Sequence, residues 1–130
     1  MAKIDPILRK NLLFLRISHY LCNMKVIFED TNLEELIRTG HNHKYKKYAR
    51  DKKFLRALLD LYETLEAVDF AEELKMYSRY KYEPLKYGLS GKYSLRIMPK
   101  RVERLIVVEK EDGSVIIILE LDETHYGNKH

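Results

Sequence analysis

Residues 104–121 read Arg-Leu-Ile-Val-Val-Glu-Lys-Glu-Asp-Gly-Ser-Val-Ile-Ile-Ile-Leu-Glu-Leu, and this stretch decides the fold class. Two apolar runs, 104–109 and 115–121, flank the sequence Glu111-Asp112-Gly113-Ser114. An Asp-Gly pair between two such runs predicts a β-hairpin. The five consecutive apolar residues from Val115 to Leu119 suit a strand that is covered on both faces.

Strand patterns also lie upstream of this hairpin. From Lys92 to Met98 the residues alternate, which places Tyr93, Leu95 and Ile97 on one face. Residues 83–87 predict a shorter strand with proline near its start, followed by a turn at 88–91. Residues 25–29 read as the first strand of the chain.

Three helical patterns separate the first strand from the later ones. Thr31 and Glu34 predict a capping box for a short helix that ends at Gly40. Asp69 and Glu72 predict a second box, for a helix with three residues on one face: Phe70, Leu74 and Tyr77. The longest pattern lies between them and has apolar residues at helical spacing: Phe54, Leu58, Leu61, Tyr62 and Leu65.

This order of elements predicts an α+β fold, with helices packed on a small, mainly antiparallel, twisted sheet. The 130 residues suit one domain, and a hydrophobic content of 45% allows a core. We expect the domain to span residues 24–130 and residues 1–23 to form an N-terminal extension with a short amphipathic helix. Because Met24 directly precedes the first strand, either Met1 or Met24 could be the working start.

The sequence also predicts a cytoplasmic protein without a membrane partner. The longest apolar stretch, Leu12–Cys22, is interrupted by polar residues and is too short to span a bilayer. No small-residue cleavage site follows the basic start of the chain. A single cysteine excludes an internal disulfide, which fits a reducing compartment.

The formal net charge of +4 is distributed in blocks. Residues 38–56 hold eight Lys or Arg and one acid, and residues 75–104 hold nine Lys or Arg and two acids. Residues 60–73 and 105–125 are acidic. If folding joins the basic blocks, their surface would attract a polyanion, because Lys and Arg release counterions from phosphates. Merely solvated Lys-rich helices explain the same pattern.

Two longer motifs carry a resemblance to a known family. Glu83-Pro84-Leu85-Lys86 is followed by Gly91-Lys92-Tyr93-Ser94-Leu95-Arg96-Ile97, and Glu120-Leu121-Asp122-Glu123-Thr124-His125-Tyr126 lies near the end. With these motifs, residues 24–126 resemble the HigB branch of the RelE/ParE superfamily, the toxins of bacterial toxin–antitoxin pairs. The chain departs from the family pattern at residues 98–104, which are longer, and Glu103 stands where an aromatic residue is expected.

The resemblance implies a RelE-like microbial RNase fold and a ribosome-dependent endoribonuclease that cuts mRNA without a metal or other cofactor. It also implies a cognate HigA-like antitoxin with a helix-turn-helix DNA-binding fold. Some relatives in the superfamily poison DNA gyrase instead. A non-catalytic RNA- or protein-binding module of the same fold and an inert partner of an antitoxin are the alternatives.

RNA cleavage without a metal requires proton transfer from a 2′-hydroxyl, stabilisation of the charged phosphate and protonation of the leaving oxygen. His125 suits the proton transfers because imidazole titrates near neutrality. Arg96 and Arg104 suit the phosphate because the guanidinium fork matches its oxygens. Tyr126 completes the candidate catalytic set. The candidate RNA-binding residues come from the basic blocks: Lys86, Lys92, Arg101, Lys44, Lys46 and Lys47.

These candidates have structural alternatives. His125 could be an ordinary surface histidine, and Tyr126 could cap the core. Arg96 could pair with Glu109 or Glu120 on the sheet.

The remaining polar motifs are weaker. The lysines between residues 44 and 53 could form a solvated helix face. His41 and His43 give a poor metal pattern, because zinc normally requires at least three protein ligands, so we expect no metal site.

Overall fold

The computed structural model describes residues 23–86 and 91–124. The strands are β1 (Lys25–Phe28), β2 (Glu83–Pro84), β3 (Lys92–Arg96), β4 (Arg104–Lys110) and β5 (Val115–Asp122). The α-helices are α1 (Thr31–Thr39), α2 (Lys46–Ala49) and α3 (Lys52–Ala67). Short 3-10 helices lie at Ala71–Met76, Ser78–Tyr80 and Glu111–Gly113. The predicted N-terminal helix and the candidate residues His125 and Tyr126 lie outside the described residues.

The five strands of the described chain form one mixed sheet in the order β1-β5-β4-β3-β2. β5 pairs parallel with β1 and antiparallel with β4, and the other pairings are antiparallel. The structure therefore confirms the predicted α+β class and the hairpin of β4 and β5. A shift in register between Ile106 and Val107 marks a bulge in that hairpin.

The cover over β5 is uneven. Ile116 and Ile118 are fully buried in the core, whereas Val115, Ile117 and Leu119 are half-buried. The sequence predicted that both faces of this strand would be buried, but only the face toward the core is fully buried.

Helix α3 supplies much of the core. Its predicted apolar stripe is confirmed, because all five residues are buried: Phe54, Leu58, Leu61, Tyr62 and Leu65. The side chain of Asp51 begins the helix by accepting a hydrogen bond from the backbone N–H of Phe54 at 3.1 Å. Leu95 and Leu105 of the sheet are buried in the same cluster. Each such leucine contributes roughly 2 kcal/mol by leaving water.

Helix α1 begins one residue earlier than the sequence pattern predicts. Asp30, not Thr31, is the N-cap, and its carboxylate accepts hydrogen bonds from the backbone N–H groups of Asn32 and Leu33. Gly40 ends the helix as predicted, in a left-handed conformation with φ of 82° that glycine adopts without strain.

The prediction for residues 69–77 is wrong in its cap, its helix type and its buried face. The segment Ala71–Met76 is a 3-10 helix, and the carboxylate of Glu73 accepts a hydrogen bond from the backbone N–H of Phe70 at 3.2 Å. Leu74 is buried, but Phe70 and Tyr77 are exposed by 45% and 40%. A 3-10 helix turns once in three residues, so it does not align these side chains as an α-helix would.

Candidate nucleic-acid interface

The short helix α2 presents lysines outward because Tyr48 within it and Tyr45 just before it hold it to the core. The Tyr45 hydroxyl donates a hydrogen bond to Asp30 at 2.7 Å, and the Tyr48 ring packs on Phe54 with 4.5 Å between ring centres. Both tyrosines are buried. Burial, followed by the hydrogen bond to Asp30, raises the pKa of Tyr45 far above its usual value, so the phenol stays neutral.

The residues around α2 form a surface that we call the basic surface. It is defined by exposed cations that make no ion pair among the described residues: Lys44, Lys46, Arg50, Lys52 and Lys53. Lys47 also lies here, but its ammonium group contacts the carboxylate of Glu123 at 3.1 Å. Predicted RNA-binding residues Lys44 and Lys46 thus face solvent without a charged partner in this part of the chain.

A cleft of about 760 Å³ opens within the basic surface. Its polar lining is mostly cationic or imidazole: Glu35, His41, Asn42, His43, Lys46, Arg50 and Lys52. Asn42 is buried, and its side-chain amide donates a hydrogen bond to a carboxylate oxygen of Glu35 at 2.7 Å. The cleft therefore favours an anionic ligand.

Arg96 and Arg104 are brought together by the sheet. They are direct partners in the antiparallel pairing of β3 and β4, so their side chains lie next to each other on one face. The Nε of Arg96 donates a hydrogen bond to the backbone carbonyl of Arg79 at 3.0 Å. Neither Glu109 nor Glu120 pairs with Arg96 in the described chain.

Arg104 is held more tightly than Arg96. It is 9% exposed, and its Nη1 donates hydrogen bonds to the backbone carbonyls of three residues: Arg101, Val102 and Glu103. Across the next pairing it faces Asp122 of β5. The guanidinium group therefore also fixes the loop between β3 and β4.

Arg101 is placed differently from the other predicted RNA-binding residues. Its guanidinium donates to Asp51 at 2.7 Å and to Glu103 at 2.9 Å, and it stacks on the Phe54 ring at 4.9 Å. The Tyr48 hydroxyl donates to the same carboxylate of Glu103 at 3.1 Å. We call this group the Arg101 clamp: Tyr48, Asp51, Phe54, Arg101 and Glu103.

The clamp stabilises the charged state of its members. Hydrogen bonds to Glu103 and then Asp51 raise the pKa of Arg101, and the hydrogen bond from Arg101 lowers the pKa of Asp51. Burial works to raise the pKa of Glu103, but hydrogen bonds from Arg101, its own backbone and Tyr48 outweigh it and leave that pKa lowered. A phosphate could reach Arg101 only by competing with two carboxylates.

The remaining predicted residues lie apart from the clamp. Lys86 is exposed just after β2, and Lys92 is half-buried at the start of β3. The described chain ends at Thr124, whose backbone N–H and hydroxyl both donate to Asp122. His125 and Tyr126 follow directly in the sequence and lie outside the described residues.

Sequence reasoning missed the Arg101 clamp and the cleft. Asp51 and Arg101 are 50 residues apart, so no local pattern joins them. The available signal was Glu103, an acid in a basic block at a position where the family pattern has an aromatic residue. For the cleft, the signal was the interleaving of His41 and His43 with the lysines.

Residues 23–86 and 91–124 lack two further classes of site. No group of three or more His, Cys, Asp or Glu side chains there is arranged to hold a metal ion. None of the helices in these ranges has the length and apolarity needed to cross a membrane.

Comparison with known proteins yields a structural likeness. No protein-family model matches the chain, and no curated protein matches it. A chain in the crystal structure of the toxin–antitoxin complex RelBE2 from Mycobacterium tuberculosis is similar at a TM-score of 0.41 and 16% sequence identity. The match covers 79% of this chain and 93% of that chain.

Proposed function

We propose that this chain is the toxin of a bacterial type II toxin–antitoxin system and a metal-independent endoribonuclease that cuts mRNA on the ribosome. The proposal rests on the HigB-like sequence motifs and on one structural observation, the adjacent side chains of Arg96 and Arg104. Asp122, the partner of Arg104 on β5, precedes His125 by three residues. The protein would act in the cytoplasm.

The chemistry follows from these groups. A 2′-hydroxyl gives its proton to a base, and its oxygen attacks the adjacent phosphorus. The bond to the 5′-oxygen then breaks, that oxygen takes a proton, and a 2′,3′-cyclic phosphate remains. We assign the proton transfers to His125 and Tyr126. We assign the stabilisation of negative charge on the phosphate oxygens to Arg96, because a guanidinium group binds two oxygens at once. Arg104 is 9% exposed and donates to three backbone carbonyls, so it would position the loop beside Arg96.

Arg96 is better suited to this role than Arg101. The backbone carbonyl of Arg79 orients the guanidinium group of Arg96 without adding negative charge. Arg96 makes no ion pair in the described chain. The charge of Arg101 is already compensated by Asp51 and Glu103. We therefore assign Arg101 to the support of the fold and Arg96 to the phosphate.

The basic surface would bind the RNA of the ribosome. Its lysines and Arg50 are exposed and without carboxylate partners in the described chain, which suits the phosphates of a structured RNA. Lys86 and Lys92 would add contacts near the Arg96 strand. A HigA-like antitoxin would neutralise the toxin by covering a surface that the toxin needs for RNA binding or cleavage.

The test is cleavage of a message by purified full-length protein with ribosomes, read by primer extension. We expect cuts with the native protein and a loss of at least about 100-fold with His125→Ala or Arg96→Ala. Arg56→Ala is the matched control, because this arginine is exposed on α3 and pairs only with Asp60 and Glu63 in the described chain. An uncut message would contradict the proposal, as would cleavage unchanged by His125→Ala.

A non-catalytic RNA-binding module is the second candidate, because the basic surface alone can bind phosphates. It predicts growth arrest that survives His125→Ala but is lost when Lys46, Arg50 and Lys52 are all changed to Ala. Intact mRNA in arrested cells would favour this candidate over the nuclease.

A further inference from the structure

An apolar patch lies exposed beside the turn between β4 and β5. Phe70, Met76 and Tyr77 are exposed by 45%, 83% and 40%. Phe70 and Tyr77 belong to the helical face that the sequence pattern predicted, and Met76 lies between them in the chain. Large apolar side chains that cluster on a surface indicate that another segment covers them.

A groove of about 480 Å³ is lined by Phe70 and Met76 of this patch and has an acidic rim. The rim holds four carboxylates, from Glu72, Glu73, Glu109 and Asp112, and one ammonium group, from Lys75. In the described parts of the chain, none of these carboxylates forms an ion pair. The groove therefore fits a segment that is both apolar and basic.

The chain enters the fold next to this groove. The backbone N–H of Met24 donates to the carbonyl of Val68 at 3.0 Å, and that of Lys25 donates to the carbonyl of Ser114 at 2.9 Å. Val68 precedes Phe70 by two residues, and Ser114 follows Gly113 of the groove. The preceding part of the chain is thus tethered to both sides of the groove.

Residues 1–22 have the composition that the groove requires. They carry four Lys or Arg, namely Lys3, Arg9, Lys10 and Arg16, against one acid, Asp5. Their remaining residues are mostly large and apolar. We propose that residues 1–22 bind in the acidic, apolar groove of the same chain.

Tethering favours this occupant over a separate protein. The attachment point at Met24 adjoins the groove, so the local concentration of the segment is on the order of millimolar. Twenty-two residues span about 30 Å as one helix, which is long compared with a groove of about 480 Å³. This inference is independent of the proposed nuclease activity.

Disulfide trapping in the full-length protein tests the proposal without an activity assay. Lys10→Cys is combined with Met76→Cys, and Cys22→Ser removes the only natural thiol. A matched control replaces Met76→Cys with Lys53→Cys, on the basic surface. Both partner sites are exposed, so neither change disturbs the core.

We expect an intramolecular disulfide that forms at least about tenfold faster with Met76→Cys than with the control. Changing Glu72, Glu73 and Asp112 to Lys should slow it, and changing Arg9 and Arg16 to Glu in that same variant should restore it. Equal rates at both sites would overturn the proposal. A disulfide only between molecules, or one insensitive to the charge reversals, would also overturn it.

Discussion

The Arg101 clamp and the basic surface each include a residue of α2, Tyr48 and Lys46, and use their cations differently. In the clamp, Arg101 contacts two carboxylates and an aromatic ring. On the basic surface, Lys46 and Arg50 have no such partner among the described residues. Cationic residues in this sequence therefore have two different roles. A cation with buried acidic partners stabilises the fold, and a cation without them is available to a ligand.

Removal of the clamp arginine should give the largest change in stability. Arg101→Ala leaves the buried carboxylate of Glu103 without its charged partner. We expect the free energy of unfolding to fall by about 2–3 kcal/mol. Urea denaturation followed by circular dichroism measures this change.

The matched variant for this comparison is Lys46→Ala, which should change the free energy of unfolding by less than about 0.5 kcal/mol. The double variant Arg101→Met with Glu103→Gln should be more stable than Arg101→Ala, because no buried charge is left alone. Equal effects of Arg101→Ala and Lys46→Ala would remove the distinction between the two regions.

The basic surface should show the opposite behaviour, with a loss of RNA affinity and no loss of stability. Changing Lys46, Arg50 and Lys52 together to Ala should weaken binding to a structured RNA by about tenfold in moderate salt. The slope of log affinity against log salt should decrease by about 2, because three phosphate contacts are lost. Filter binding at several salt concentrations measures both quantities.

A charge-matched control for this variant changes three exposed lysines elsewhere in the chain: Lys25, Lys75 and Lys110. If the control weakens RNA binding as much, net charge and not the basic surface determines affinity.

The clamp should also make stability depend on pH at the acid end. Because the native pKa values of Asp51 and Glu103 are lowered, their contribution is present above about pH 4 and is lost as the pH falls through the native values. In Arg101→Ala, burial without a partner should instead raise the pKa of Glu103. The stability difference between native protein and variant should therefore shrink between pH 7 and pH 3. A constant difference in urea titrations would contradict this assignment.

The smallest effect is expected at an exposed ion pair. Arg38 contacts Glu34 at 2.9 Å along α1, and both side chains are substantially exposed. Arg38→Ala should change the urea midpoint of unfolding only slightly, and most of that change should disappear in 1 M salt, because exposed ion pairs are screened. If Arg38→Ala lowered stability as much as Arg101→Ala does, contact with a carboxylate, without burial, would determine how much an arginine stabilises the fold.

The sequence predicted those parts of the fold that depend on local periodicity. The stripe of α3 is confirmed because it repeats over several turns. The alternation predicted for β3 is matched only in part, because Leu95 is buried as predicted but Ser94, on the opposite face, is buried as well. The start of α1 was wrong by one residue, because Asp30 and Thr31 are both good caps and only the backbone geometry selects between them.

The candidate site was less predictable because it depends on distant residues. The pairing of Arg96 with Arg104 follows from the register of β3 and β4, which no spacing along the chain reveals. The engagement of Arg101 depends on Asp51, which precedes it by 50 residues. The roles of His125 and Tyr126 remain predictions from the family resemblance.

The most direct measurement of the central claim is the mapping of mRNA 5′ ends in cells after induced expression. The account predicts new 5′ ends within translated messages for the native protein and for Arg56→Ala, and their loss for His125→Ala and Arg96→Ala. Growth arrest with an unchanged set of 5′ ends would contradict it.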